Sequence, residues 1–481
     1  MNMRKLIIGL VVIDVCLAVI VGGLYFWYKS GGLQKEVISA VSSRLTTSTV
    51  ETSAIQQFLG FGRPRTYLLL FLNNTELRPG GGFIGAYGVI QIDKGTPHIL
   101  KLEGTELLDN YAPQDALLEP PAPLKKYLNI SKWAFRDSNW YPDFASSSEQ
   151  SMKMFRIENG TDADQIDSVI GFTPTVMEEI LKISGPVTVD GEEFNADNFT
   201  QKLEYEVEYG YVQRGLEFNQ RKQVLADLAK ALLGRLSTDV LSHWGQYLDL
   251  AQRMLAQKQI VAYTSDPQVE QILAVKGWAG LMKQTEGDYV LWADANLGSL
   301  KTDKVITRSL TYSFAPATST ADAGKYVGTL DMTFRHNGSY DKFTTVYRDY
   351  ARIYVPVGTR LISVQGSDKG IGAPGTVDQG IENGRQWFGT FIAINPGTLG
   401  ELKWQFYLAP GVVAQIQNKT YTLLVQKQIG TLGNLLTLKL DFGNYILLSA
   451  NPAEAQNQYG GSEYDVGTDL TLDRQFTVNL K

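Results

Sequence analysis

From Arg65 onward the chain alternates short apolar runs with turn residues, and the period of each run predicts its element. TYLLLFLNN is a run of strand formers closed by Asn73 and Asn74, and GFIGAYGVIQI reads as a second strand. DKG is a tight-turn signal, with HILKLEGTELL as a third strand after it. Pro113, Pro120, Pro121 and Pro123 mark a loop that a short helix at 124–128 follows. Ser146–Arg156 suits a helix, IDSVIGF a strand, TPTVMEEILKIS a helix stopped at Gly185–Pro186, and PVTVDGEEF a hairpin. Phe218–Leu236 places Val224, Leu225, Leu228, Leu232 and Leu236 on one stripe of an amphipathic helix, and further helices are predicted at about 238–261 and 266–283. Strands alternating with helices from 65 to about 300 predict an α/β or α+β domain. From Thr302 the period becomes two. KVITRSLTYSF, GTLDMTFRHN, ELKWQFYL and LLTLKLDF, separated by NGS, PVG, NPG and APG, predict an antiparallel β-sandwich of immunoglobulin-like type that folds by itself.

The N-terminal run LIIGLVVIDVCLAVIVGGLYFWY, Leu6–Tyr28, has the length that crosses a bilayer core as a helix. Asp14 interrupts it, either as a tolerated cost in a single span or as a functional, helix-pairing group. Tyr25, Phe26, Trp27 and Tyr28 form an interfacial aromatic belt. The run is longer than a signal peptide's apolar core, and no small-residue cleavage site follows, so it reads as an uncleaved, single-pass signal anchor. The expected layout is a cytoplasmic tail 1–5, a transmembrane anchor 6–28, a juxtamembrane helix and linker 29–62, an α/β domain 63–300 and a β-sandwich 305–481. Everything after Lys29 is expected outside the cell membrane.

Composition narrows the chemistry. The 481 residues are 44% apolar and 20% charged, an ordinary globular balance with room for two or three folded units. Lys plus Arg number 44 and Asp plus Glu 50, a net charge of −6 that argues against a nucleic-acid binder. Cys16 is the only cysteine, so no intramolecular disulfide forms. His98, His243 and His336 lie far apart, which argues against a zinc centre and a Ser-His-Asp site.

Three patches carry candidate chemistry. In NNTELRPGGGFIG the glycines Gly80, Gly82 and Gly85 fit G-x-G-x-x-G in form, but a strand rather than a helix follows, which excludes a dinucleotide fingerprint. Two readings stay open there. Bare backbone at Gly80, Gly81 and Gly82 admits an anion held by Arg78, or the glycines make a tight turn whose arginine is solvated or paired with Glu76. In RDSNWYPDF, Arg136, Asp137 and Asp143 line a polar pocket with aromatic walls, the aspartates suiting Mg²⁺, or the aromatics plug the core and the ion pair is structural. In RGLEFNQRK, Arg214, Asn219 and Arg221 stand at a predicted helix start, where basic residues oppose the helix dipole and so suggest an anionic ligand. Asp162, Asp164 and Asp167 read as a solvated acidic turn.

NNTELRPGGGFIGAYGVI, DSNWYPDF, DSVIGFTPTVMEEILKISGPVTV and YTLLVQKQIGT together resemble a bacterial envelope family known as domain of unknown function 4012, over most of the chain after the anchor. More distantly, residues from about 65 to 240 are similar in order to the LytR-CpsA-Psr family of membrane-anchored phosphotransferases. That resemblance implies transfer of lipid-pyrophosphate-linked glycopolymers, with arginines on pyrophosphate, carboxylates on Mg²⁺ and a groove for polyprenyl. The family's Arg-x-Asp-Ser/Thr strand start is met here by Arg78 and the glycine run. Its Arg-Asp pair is met by Asp109 alone, and its arginine-rich turn by Arg214 to Arg221.

The reading that results is a single-pass, extracytoplasmic envelope protein. It binds, and by the resemblance transfers, a phosphorylated lipid-linked glycan or similar anionic polymer. Arg78, Arg136, Arg214 and Arg221 would neutralise pyrophosphate, and Asp109, Asp137 or Asp143 would hold Mg²⁺ or accept a proton. The rival reading is a non-catalytic surface scaffold or adhesion protein. Convergence of the four arginines on one cleft separates the two.

Overall fold

The computed structural model describes residues 56–58, 60–93, 96–217, 221, 223–367, 377–454 and 459–481. The tail, the span with Asp14 and Cys16, most of the juxtamembrane segment, and Asn219 lie outside the described residues. Among the described residues no helix is long and apolar enough to cross a membrane. The chain divides into two units. The first takes the residues up to Asn73, Gly80–Pro120 and Ser131–Leu281; the second takes Asn74–Pro79, Pro121–Ile130 and Met282–Lys481.

In the first unit the strands are β1 (Arg65–Asn73), β2 (Phe83–Asp93), β3 (Thr96–Gly104), β4 (Ile166–Phe172), the short hairpin β5 (Val187–Val189) and β6 (Glu192–Phe194), and β7 (Ile260–Thr264). The helices are α1 (Thr105–Tyr111), α2 (Phe144–Ile157), α3 (Pro174–Ser184), α4 (Phe199–Tyr205), α5 (Gln223–Ala256) and α6 (Pro267–Lys276). Five strands form one mixed sheet in the order β3-β2-β1-β4-β7, with β1 and β4 parallel and the other pairs antiparallel. β1 carries the unbroken apolar run YLLLFL, and every residue of β4 is buried, because both of their faces are covered. Tyr67 and Leu69 of β1 and Ile170 and Phe172 of β4 join Val176 and Ile180 of α3 and Val224, Leu228 and Leu232 of α5 in one core. On the other face Phe144 of α2 lies over Gly171 and Leu72; a Cβ on Gly171 would stand 2.7 Å from Leu72 Cδ1, so the close approach requires glycine. β3, with Pro97 and an exposed Ile99 and Leu100, is an edge strand, where the missing N–H is tolerated. The amphipathic stripe falls as predicted, but the two helices expected around it are one element, α5, kinked at His243.

The second unit contains β8 (Asp288–Ala293), β9 (Ile306–Pro316), β10 (Tyr326–His336), β11 (Tyr347–Pro356), β12 (Arg360–Gln365), β13 (Asp378–Glu382), β14 (Arg385–Ile394), β15 (Leu399–Tyr407), β16 (Thr420–Gln426), β17 (Leu435–Asp441), β18 (Leu447–Asn451), β19 (Glu463–Asp469) and β20 (Arg474–Leu480). They form a six-stranded sheet, β12-β15-β10-β9-β17-β19, and a seven-stranded sheet, β13-β14-β11-β8-β16-β20-β18. Alternate residues of both sheets, among them Tyr312, Phe314, Trp404, Tyr421 and Val425, fill one shared core without a disulfide. The fold class is therefore α+β with several sheets. Two features depart from expectation. The pairs β8–β16 and β9–β17 are parallel, where an all-antiparallel sandwich was expected. The long C-terminal stretch of the second unit also starts at Met282 rather than about 305, because β8 is a wholly buried central strand between β11 and β16.

Candidate functional site

The densest chemistry in the first unit collects on α1, the short helix after β3. Arg136, on the turn Phe135–Asp137, donates through Nε to Asp109 of α1. Asp109 is buried, whereas about a third of the Arg136 side chain, at 35%, faces solvent. Arg136 has no other partner among the described residues. Behind this pair stands Glu158 at the end of α2, whose Oε1 accepts the Phe135 N–H at 2.7 Å. Asp109 Oδ1 and Glu158 Oε2 are both buried and meet no donor from any other group, which fits two carboxyls that share a proton with each other. Burial pushes both acids up, and Arg136 draws Asp109 back, so the proton resides on Glu158, which burial and the Asp109 charge push up to about 9. Phe135, Phe155 and Tyr87 wall the pair, ring on ring, at 5.2–5.6 Å. Burial and a hydrogen bond to Glu103 raise the Tyr87 phenol above its ordinary range.

Arg221 reaches the same helix from the other side of the sequence. It pairs with Glu106 of α1 at 3.2 Å and with Glu208 at 3.1 Å. Arg214 pairs with Asp190 at 2.9 Å and Glu206 at 3.2 Å, beside a cavity of about 150 Å³ lined by Glu192, Phe194 and Val224 among others. The segment Glu206–Gly210 thus links the two arginines, but each is divided between two carboxylates. The three arginines Arg136, Arg214 and Arg221 are outnumbered by Glu106, Asp109, Asp190, Glu206 and Glu208.

The other predicted residues take internal roles. Arg78 belongs to the second unit and is 2% exposed. Its Nη1 donates to the Asn296 carbonyl at 2.5 Å and the Leu77 carbonyl at 3.2 Å, and Nη2 pairs with Glu76 at 3.4 Å. The surrounding segment is stitched in by Asn296 N–H to Leu77 O, Leu77 N–H to Asp303 Oδ2 and Gln428 Nε2 to Arg78 O. Gly80, Gly81 and Gly82 are buried rather than open to a ligand. Gly80 N–H donates to Asn139 O at 3.0 Å and Asn139 Nδ2 donates to Gly82 O at 2.6 Å. A Cβ on Gly80 would meet Asn139 O at 2.8 Å, and Gly81 and Gly82 have φ of 121° and 148°, so close packing and backbone shape demand these glycines.

Asp143 is the N-cap of α2, its Oδ1 accepting from Ser146 N and Oγ, both at 2.9 Å. Asp137 is buried, and its carbonyl accepts the Trp133 indole N–H at 2.9 Å. A Mg²⁺ ion would have to compete with the helix for Asp143, and among the described residues no group of three or more His, Cys, Asp or Glu could hold a metal. Asp143 is therefore engaged at the helix cap rather than free for Mg²⁺. Glu158, by contrast, escaped the sequence reading; its only sequence signal is a carboxylate just before Asn159–Gly160, where α2 ends.

No curated protein matches the chain. Among solved structures it is similar to the Lin1025 protein of Listeria innocua, at 11% identity, covering 44% of this chain and 77% of that one, with a TM-score of 0.22. It is similar also to the gbs0355 protein of Streptococcus agalactiae, at 12% identity, 49% of this chain and 79% of that one, TM-score 0.25. Likenesses of this size decide neither fold nor function. The model of the family described as "Protein of unknown function (DUF4012)" matches residues 63–208 of this chain.

Proposed function

We propose that this is an extracytoplasmic cell-envelope protein, held to the cell membrane by the apolar run 6–28, whose first unit binds a phosphorylated glycan at Arg136. One observation carries the reading: Nε of Arg136 is paired with Asp109, no other hydrogen bond to a described residue holds the guanidinium, and about a third of the side chain is exposed. A guanidinium fixed at Nε presents its two Nη groups as a ready fork for a phosphate. The proton on Glu158 matters as much, because it leaves Arg136, Asp109 and Glu158 neutral in sum rather than negative. Transfer of the glycan is no part of this reading, since Asp143, one of the carboxylates it would use, is engaged at the α2 cap. In the same spirit the first unit is read as LytR-CpsA-Psr-like, on its order of strand, hairpin, α3 and β5–β6. The second is read as a distant relative of the immunoglobulin-like sandwich.

The test is binding of full-length protein, in detergent, to nanodiscs doped with a polyprenyl pyrophosphate. Arg136→Ala should weaken binding about tenfold, the loss of one charge-assisted contact. Arg214→Ala should change it less than about twofold, because its charge is already spent on Asp190 and Glu206. Unchanged binding in Arg136→Ala sinks the proposal.

A second reading, a non-catalytic scaffold or adhesion protein, is favoured by the fate of the other arginines. Arg78, Arg214 and Arg221 all tie protein to protein. Wild-type protein that ignores the doped nanodiscs yet retains cell-surface glycan in a sedimentation assay would select it.

A further inference from the structure

In the six-stranded sheet, strand alternation sends every second residue away from the core, and register sorts these residues into rows. One row runs Asp465, Lys439, Ser313, Thr329 and Gln405 across five neighbouring strands. The adjacent row contains Thr437 and Thr311. The hydroxyls of Ser313, Thr329, Thr311 and Thr437 hydrogen-bond to no described residue. Over one end of the rows lies a groove of about 690 Å³, lined in part by Ser313, Thr329, Lys439, Asp441, Glu463 and Asp465. That volume falls within the range of small-ligand sites, roughly 300–1,000 Å³.

Two properties identify the occupant. Hydroxyls repeating across strands at about 4.8 Å offer paired donors and acceptors to a chain that itself carries hydroxyls at short intervals. The groove's ionisable side chains are three carboxylates and one lysine, so its field favours a cation. Asp441 is held in place by the Gly443 N–H at 2.8 Å and Ser462 Oγ at 3.0 Å, while Glu463 and Asp465 stand exposed on the outer strand β19. We propose that this groove binds an amine-bearing glycan, sugar hydroxyls on Ser313 and Thr329 and ammonium groups at Asp441, Glu463 and Asp465. A lysine-rich peptide would satisfy the acids but leave the hydroxyl rows unused. The proposal stands apart from the Arg136 reading: a phosphorylated glycan would be repelled here, and the two sites lie in different units.

The test is calorimetric titration of the full-length protein in detergent at pH 6 with chitosan oligosaccharides, with their fully N-acetylated counterparts and with oligolysine. Chitosan oligosaccharides should bind, and the N-acetylated chains about tenfold more weakly, because the amide removes the charge. The double variant Glu463→Gln/Asp465→Asn should lose about tenfold at an unchanged melting temperature, since both side chains are exposed. Thr329→Arg, which sets a cation in the groove, should abolish binding; if it fails to fold, the double variant decides alone. Absence of chitosan binding, equal binding of the N-acetylated chains, oligolysine binding as tightly, or an unaffected double variant would each overturn the proposal.

Discussion

Each unit buries a knot of carboxylates around one arginine, and the two knots end differently. In the first unit Asp109 and Glu158 share a proton and Arg136 closes the pair with about a third of its side chain exposed. In the second, Arg308 bonds Asp294 at 2.6 Å, Asp303, and the Tyr347 oxygen at 2.7 Å. Asp349 lies beside Asp294, and burial together with that neighbouring charge drives its carboxyl far up, so this pair too retains a proton. Here the arginine is sealed, with 6% of its side chain exposed against 35% for Arg136. The same donors and acceptors therefore serve opposite ends. A sealed guanidinium with every direction taken can only hold the fold, whereas one left open can also meet a ligand.

The contrast breaks most sharply at Arg308. Arg308→Met should cost about 3–5 kcal/mol, because it leaves buried carboxylates without their cation. Calorimetry should show the melting of the second unit shifted far down, while Arg136→Met should cost less, because one buried carboxylate rather than several loses its cation and Glu158 can still share a proton with it. Equal losses would erase the distinction. A smaller effect belongs to Asp143, read in the sequence as a metal ligand and found as the α2 cap. Asp143→Ala should cost about 1 kcal/mol and Asp143→Asn much less, which thermal melting of the two variants without any added metal can check. A different kind of effect is a slope. Glu158 titrates at about 9 in the folded chain against 4.5 in its ordinary state, so the unfolded chain releases this proton first. Stability is greatest below about pH 4.5 on this account and falls as pH rises toward 9. Glu158→Gln retains a donor for Asp109 but cannot ionise, and should flatten the melting temperature across that window. A variant as steep as wild type would place the proton elsewhere.

What the sequence disclosed and what it hid follow one physical line. β1, β2, β4, α3 and the α5 stripe were legible because a local period records which face is buried. β8 was not, because DYVLWA is buried on both faces and so has no period, and it follows helical segments that drew it into their domain. At the candidate site, Arg136 and Asp109 were legible as residue types, but the third partner, Glu158, is a lone carboxylate far along the chain. Arg78 shows the reverse error. An arginine before three glycines looks like an anion fork, yet its acceptor is the carbonyl of Asn296, which no local pattern can reveal.

The chain crosses between its units five times, after Asn73, Pro79, Pro120, Ile130 and Leu281, and this bears on any attempt to take the protein apart. A single cut at Leu281 liberates neither half whole: the C-terminal fragment lacks Asn74–Pro79 and Pro121–Ile130, while the N-terminal one is burdened with both. Synthesis meets the same constraint, since Leu77 and Arg78 leave the ribosome some two hundred residues before Asn296 and Asp303, which receive them. The segment 63–208 that the family model matches encloses both Asn74–Pro79 and Pro121–Ile130. Neither unit is one continuous stretch of the chain.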